Sequence, residues 1–265
     1  MKCIVEVISL GYIPVVDLSS FPNIFNRLNV NSLNFNPWEI FFSQPFGYKL
    51  KDIKTNGINI KYIECGKIKL VKLKLVINRN IFNNKVLMDF WHFMALKYIP
   101  IKNEIIIESK KISKKLFKNS NNILGILARG TDYISFKPSK HFIPPTPKIM
   151  FKDIKYMNKI NKYDYYFLST EDDLIREKFI YEFKNKLKYL KVNESIKFNY
   201  LKKKHLVYNK IVAGNLNFMK IYLINIIILS KCIDIITAHT CGAKGIFIFS
   251  KGFRYSKVYN LGYYK

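Results

Sequence analysis

The chain is poor in acid, in cysteine and in long apolar runs. Asp and Glu together number 18 against 45 Lys and Arg, a formal net charge of +27 over 265 residues. The four cysteines, Cys3, Cys65, Cys232 and Cys241, form no CxxC pair and no zinc spacing. They read as free thiols in a reducing compartment. HxH, DxD and HExxH patterns are missing too, and the run Glu171-Asp172-Asp173 is a poor metal set. The most apolar window, IYLINIIIL at 221–229, is too short to cross a bilayer and is flanked by Lys220, Lys231 and Asp234. At the start, MKCIVEVISLGYIPVV is interrupted by Glu6 and lacks a small-residue cleavage site, so it reads as a strand or helix end and not as a secretory signal. No internal repeat is visible.

What remains is a chain able to build a core. It is 49% hydrophobic and 15% aromatic, with 21 Phe and 18 Tyr, which excludes a disordered class and allows one large domain or two small ones. The charge is compatible with a nucleic acid, an anionic membrane surface or a phosphorylated substrate. Yet the lysines are spread along the whole chain, in a sequence saturated with Lys, Asn, Ile, Tyr and Phe, the residues of A/T-rich codons. That scatter argues against a nucleic-acid partner. The expected location is cytoplasmic, with peripheral contact at an anionic inner membrane face left open by the charge.

Along the chain, Tyr12–Asp17 reads as a short buried strand, and 34–44 as loop and turn. Residues 58–77 alternate apolar residues and lysines, the pattern of strands or a hairpin turning at Cys65-Gly66. Helical spacing covers 80–98 and 104–118. From about 121 the pattern is α/β: a strand at ILGILA, a proline-rich loop, a helix over 148–162, and a strand at 163–170. A helix from Asp173 follows, capped by Thr170 or Asp172, then a strand over 187–192, an apolar helix over 215–231, a strand over 233–237 and a short helix over 243–250. GFRYSKVYNLG closes the chain without assignment. Repeated strand–loop–helix predicts a parallel sheet, with ligands beyond the carboxyl ends of its strands. The expected division is 1–120 and 121–265.

Three strand ends carry chemistry. Arg129-Gly130-Thr131-Asp132 offers a permanently charged planar donor, a close backbone approach, a hydroxyl and a carboxylate; it is either an anion site or an ordinary turn with a surface ion pair. Glu171 and Asp172 could meet a base or ribose hydroxyl, or cap a helix. His239-Thr240-Cys241-Gly242 is a small-residue turn whose amides and helix N-terminus could cradle phosphate. His141 sits in the stiff loop FKPSKHFIPP. Cys241 has no histidine partner fixed by spacing, which argues against a thiol nucleophile.

Taken in order, ILGILARGTDY, KPSKHFIPP, YYFLSTEDD, IILSKCIDIITAHTCGAKG and GFRYSKVYNLG, with GYIPVVDLSSFPN and NPWEIFFSQPFGY before them, resemble a bacterial branch of the fucosyltransferase superfamily, which includes α1,6-, α1,2- and protein O-fucosyltransferases. The resemblance implies a GT-B-like α/β fold of two Rossmann-like halves, GDP-fucose held by the C-terminal half, no metal, and inverting transfer. It carries Arg129 over as the phosphate contact and Asp132 as the accompanying acid. Gly130, Thr131, His141, Glu171, Asp172, Asn225, His239, Thr240, Cys241 and Gly242 follow as donor-binding residues. Cys241 and His239 depart from the branch, which has Ser and often Arg there, and Pro144 stands for its usual Gln. The branch also opens with a strand and a G-x-G-x-Q-like turn, whereas Gly11 here follows only ten residues. An N-terminally truncated copy is therefore expected, with the N-terminal half incomplete.

The implied chemistry is transfer of fucose from GDP to a glycan hydroxyl, with Arg129 compensating charge on the leaving diphosphate. The competing reading is a non-catalytic binder of nucleic acid or anionic surfaces driven by net charge.

Overall fold

The structure, a computed structural model, describes residues 1–19, 36–55, 60–61, 79–130, 132–135, 137–190 and 216–265. The chain is α/β and divides into two compact units, Met1–Ile105 and Ile106–Lys265. The division between these units falls inside a helix.

The first unit contains helices α1 (Lys2–Ser9), α2 (Trp38–Phe41), α3 (Leu50–Thr55) and α4 (Lys85–Tyr98), with the start of α5 (Asn103–Phe117). Asn84 starts α4 by accepting the Leu87 amide at 2.9 Å. Among the described residues this unit has no strand, only an isolated bridge between Phe42 and Ile101. The buried strand expected at Tyr12–Asp17 is not formed: Tyr12 and Ile13 are exposed, and Pro14 has no N–H to give a ladder. Side chains do the pairing instead. Gln44 accepts from the Val16 amide at 2.8 Å and donates to the Val16 carbonyl at 2.9 Å, and Asn36 donates to that carbonyl at 2.6 Å. The hairpin expected over 58–77 lies outside the described residues apart from 60–61.

The second unit is one parallel sheet. Its elements are β1 (Ile123–Leu127), α6 (Asp132–Ser135), α7 (Pro147–Asn161), β2 (Tyr165–Ser169), α8 (Asp173–Phe183), β3 (Leu187–Tyr189), α9 (Leu216–Leu229), β4 (Asp234–Ala238), α10 (Cys241–Phe249) and β5 (Tyr255–Tyr259). The order is β3-β2-β1-β4-β5, all parallel. Chain progress reverses between β1 and β4, the switch point at which doubly wound sheets of this order open a crevice. β1 and β4 are buried at every position, as continuous apolar runs in central parallel strands must be. β5 was not expected from sequence; it is a short edge strand, exposed at its start.

The two faces are filled differently. Leu124 and Ile126 of β1 and Ala128 just after it, with Leu168, Ile236 and Ala238, pack with Met150 and Ile154 of α7 and Ile175 and Phe179 of α8. The odd positions of β1 face α9: a β-carbon added to Gly125 would lie 3.0 Å from Leu229 and 2.9 Å from Ile235. Phe117 of α5 meets Phe167 edge to face at 5.6 Å. Cys232 is a buried free thiol that burial pushes up, and Cys241 is free and exposed. Cys3, expected as a free thiol, is disulfide-bonded.

Candidate functional site

Strand register alone sets a row of side chains at the carboxyl rim. Leu127 lies opposite Ser169, and Ile126 opposite Ile236. Continuing the same count, Arg129 stands between Glu171 and His239, on the α9 face, because side-chain direction alternates along a strand. The ladder does run past the strand end: the Ala128 amide donates to the Ser169 carbonyl at 3.0 Å.

Arg129 is held from two sides. Its Nη1 lies 3.3 Å from Glu171 Oε1, and its guanidinium sits over the Tyr133 ring at 4.9 Å. The same Glu171 oxygen accepts the Gly130 amide at 3.3 Å. Both side chains of the pair are largely covered, at 23% and 14% exposure, so solvent screens them less than a surface pair. Tyr133 in turn stacks on Phe142 at 4.6 Å and meets the His141 ring at 5.5 Å. His141 is thus one ring removed from the guanidinium. Its loop is tied to the chain end: the Ile143 amide donates to Gly262, and Tyr264 to the His141 carbonyl, each at 2.9 Å.

The neighbouring acids divide. Glu171 serves Arg129, whereas Asp172 is only 2% exposed and caps α8, its Oδ1 accepting from the Ile175 amide at 3.0 Å. Helix capping, the plainer of the two sequence readings, accounts for this contact of Asp172.

After β4, Thr240 caps α10 by accepting the Ala243 amide at 2.8 Å. Cys241 and Gly242 are the first two residues of that helix, and the amides of a first turn point outward along the positive end of the helix dipole. The α9 residue Tyr222 reaches this turn: a β-carbon at Gly242 would be 2.5 Å from its hydroxyl. Burial pushes the Tyr222 phenol up; the Arg129 charge opposes that shift, and Glu171, Cys241 and Tyr133 add to it. The phenol is therefore a neutral donor throughout the physiological range. Tyr222 was missed in the sequence. The signal that could have found it is that Tyr222 and Asn225 are the two polar side chains, one turn apart, in the run IYLINIIIL.

Asn225 is buried; its Nδ2 donates to the Ile221 carbonyl at 3.0 Å, and its Oδ1 has no partner among the described residues. His239 is half-buried. Asp132 opens α6, its side chain being outside what the structure describes, as is Thr131 entirely. The structure thus gathers Arg129, Gly130, Glu171, Thr240, Cys241 and Gly242 around the switch point, with Tyr133 and Tyr222 added. Among the described residues no group of three or more His, Cys, Asp or Glu could hold a metal ion, and no helix is long and apolar enough to cross a membrane. A guanidinium, a helix N-terminus and a phenol hydroxyl set near one another suit a multiply charged oxyanion.

No family model and no curated protein matches the chain. Among solved structures it is similar to NodZ α-1,6-fucosyltransferase soaked with GDP-fucose, at 11% identity over 60% of this chain and 46% of that one, with a TM-score of 0.38. It is also similar to POFUT1 in complex with GDP-fucose, at 8% identity over 66% and 50%, TM-score 0.41. A third likeness is fucosyltransferase NodZ from Bradyrhizobium, at 13% identity over 58% and 44%, TM-score 0.36. The chain spans about half the length of these structures. Likenesses this distant decide nothing about its chemistry.

Proposed function

We propose that the second unit binds a nucleoside diphosphate sugar and that the protein is a glycosyltransferase, transferring fucose from GDP-fucose to a glycan hydroxyl with inversion. The observation that supports it most is the placing of Arg129, braced by Glu171 and Tyr133, across the β1/β4 switch point from the first turn of α10. The ordered motifs quoted from the sequence supply the sugar and the base.

In this reading the acceptor oxygen attacks the anomeric carbon, the bond from that carbon to the β-phosphate oxygen breaks, and GDP leaves with the electron pair. Negative charge grows on the diphosphate as the bond stretches. Arg129 and the Cys241 and Gly242 amides therefore stabilise the transition state more than the bound substrate. That compensation stands in place of a metal ion. The acceptor proton passes to a general base, for which Asp132 is the proposed group and His141 the alternative.

Calorimetric titration with GDP tests the reading. Wild type binds, and Arg129→Ala loses roughly 10- to 100-fold in affinity, the worth of a charge-assisted bond to phosphate. Unchanged affinity in the variant, or no binding by wild type, overturns it. A purely electrostatic polyanion binder predicts instead that affinity for any polyanion falls log-linearly with salt and ignores Arg129. A screen of other nucleotide sugars separates the fucosyl donor from its relatives.

A further inference from the structure

The outward side of α7 carries two parallel stripes that the site does not use. Lys148, Lys152, Lys155 and Lys159 recur at spacings of four, three and four, which aligns them as one ridge along the helix, all exposed. Beside them Ile149, Tyr156 and Ile160 recur at seven and four, and they are 42%, 63% and 63% exposed. The helix already has its core face, Met150, Ile154 and Met157, and its α8 flank, where Phe151 meets Phe179 and Phe183. The apolar stripe is therefore surplus to the fold, on the flank away from α8.

We propose that this face of α7 seats the protein on an anionic lipid surface. A lysine ridge alone is an ordinary solvated helix face. Three large apolar side chains exposed in line beside it are not, because scattered single residues are the usual pattern for exposed apolar groups. Lipid suits both stripes at once. The isoleucines and the tyrosine enter the boundary between headgroups and acyl chains, while the lysine stems run along it and set their ammonium groups among the phosphates. A nucleic acid would use the ridge and leave the stripe in water. The acids facing this surface do not cancel it. Asp153 accepts the Tyr259 hydroxyl at 2.6 Å and lies 4.0 Å from Lys257, and Glu182 of α8 pairs with Lys155. Lys148, Lys152 and Lys159 remain for the partner. The inference does not depend on the donor reading.

Sedimentation with phosphatidylcholine vesicles, with and without phosphatidylglycerol, tests it on the full chain. Wild type partitions to the anionic vesicles only. Lys148→Glu, Lys152→Glu and Lys159→Glu together lower that partitioning roughly 100-fold, at about a factor of five per lysine near a charged surface. Tyr156→Ser with Ile160→Ser lowers it roughly tenfold without altering net charge. A charge-matched control, Lys110→Glu, Lys111→Glu and Lys114→Glu on α5, lowers it far less. Circular dichroism melts confirm that each variant is folded. Equal losses from the α5 and α7 triples, no preference for anionic vesicles, or tighter binding to RNA than to vesicles at the same ionic strength would each overturn the proposal.

Discussion

Gly130 and Asp172 occupy adjoining space at the rim: a β-carbon added to Gly130 would lie 2.7 Å from both Cβ and Cγ of Asp172. Asp172 has nowhere to go. It is buried, and its carboxylate holds the first turn of α8 through the Ile175 amide. Glycine at 130 is therefore required by packing, and the same contact brings the Gly130 amide to Glu171. Gly130→Ala should lower stability by about 2–4 kcal/mol, overpacking plus a strained cap. Denaturant unfolding measures it; a change near zero would mean that the two loops move apart freely.

Tyr222 and Gly242 make a second such pair, and one that can be taken apart. The phenol hydroxyl lies where an alanine methyl would need to be, 2.5 Å from it. Gly242→Ala alone should destabilise, and Tyr222→Phe should relieve much of that loss. The expected coupling between the two is about 1–2 kcal/mol, measured by a double-mutant cycle. Strict additivity would show that the hydroxyl does not press on the first turn of α10. Under the proposed function Tyr222→Phe also weakens GDP binding by roughly five- to tenfold, one neutral hydrogen bond.

The division between what was readable and what was not follows the range of the interactions. The β1 run ILGIL and the caps at Asp172 and Thr240 are local signals: apolar continuity over five residues, or one oxygen and an amide three residues on. Arg129 was legible as a candidate because it ends a buried strand. Its bracing by Glu171 needed the β1/β2 register, which pairs residues some 40 apart in sequence. Tyr222 was invisible because a tyrosine in an apolar helix looks like core; only the crossing of α9 over α10 gives it a task. Tyr12–Asp17 misled in the opposite way. Its apolar run has a strand's composition, but Asn36 and Gln44 side chains take up its backbone groups. β5 was missed because SKV in its middle gives an edge strand little apolar signal.

Asn225 offers a test that separates stability from function. Its buried Oδ1 has no partner among the described residues, and such a group costs about 1–3 kcal/mol. Replacing it with an isosteric apolar side chain removes that penalty. Asn225→Leu should raise the melting temperature and, if the oxygen is kept for a ligand, lower GDP affinity at the same time. A variant that is more stable with unchanged affinity would remove Asn225 from the donor site. One that is less stable would show that the oxygen meets a protein group after all.

At the opposite, amino-terminal end of the sheet, Asp234 is fully buried and shared by three donors: the Tyr163 hydroxyl, Arg254 through Nη2 at 2.6 Å, and the Tyr255 amide at 2.8 Å. Burial first, and then the hydrogen bond to the Asp234 carboxylate and its charge, hold the Tyr163 phenol well above its ordinary value. A phenol whose titration is raised on folding contributes stability that is fully present below about pH 10, where the unfolded tyrosine also keeps its proton. Above that pH the unfolded chain ionises and the folded one does not, so stability should fall as pH rises. Tyr259, raised by burial and by Asp153, acts in the same direction. Tyr163→Phe should cost about 1–2 kcal/mol at neutral pH, for the lost bond to a buried carboxylate, and should flatten the alkaline decline. Melting curves from pH 8 to 11 for wild type, Tyr163→Phe and Tyr259→Phe decide it. Identical slopes in all three would place the alkaline loss elsewhere, in the unpairing of lysines instead of the ionisation of these phenols.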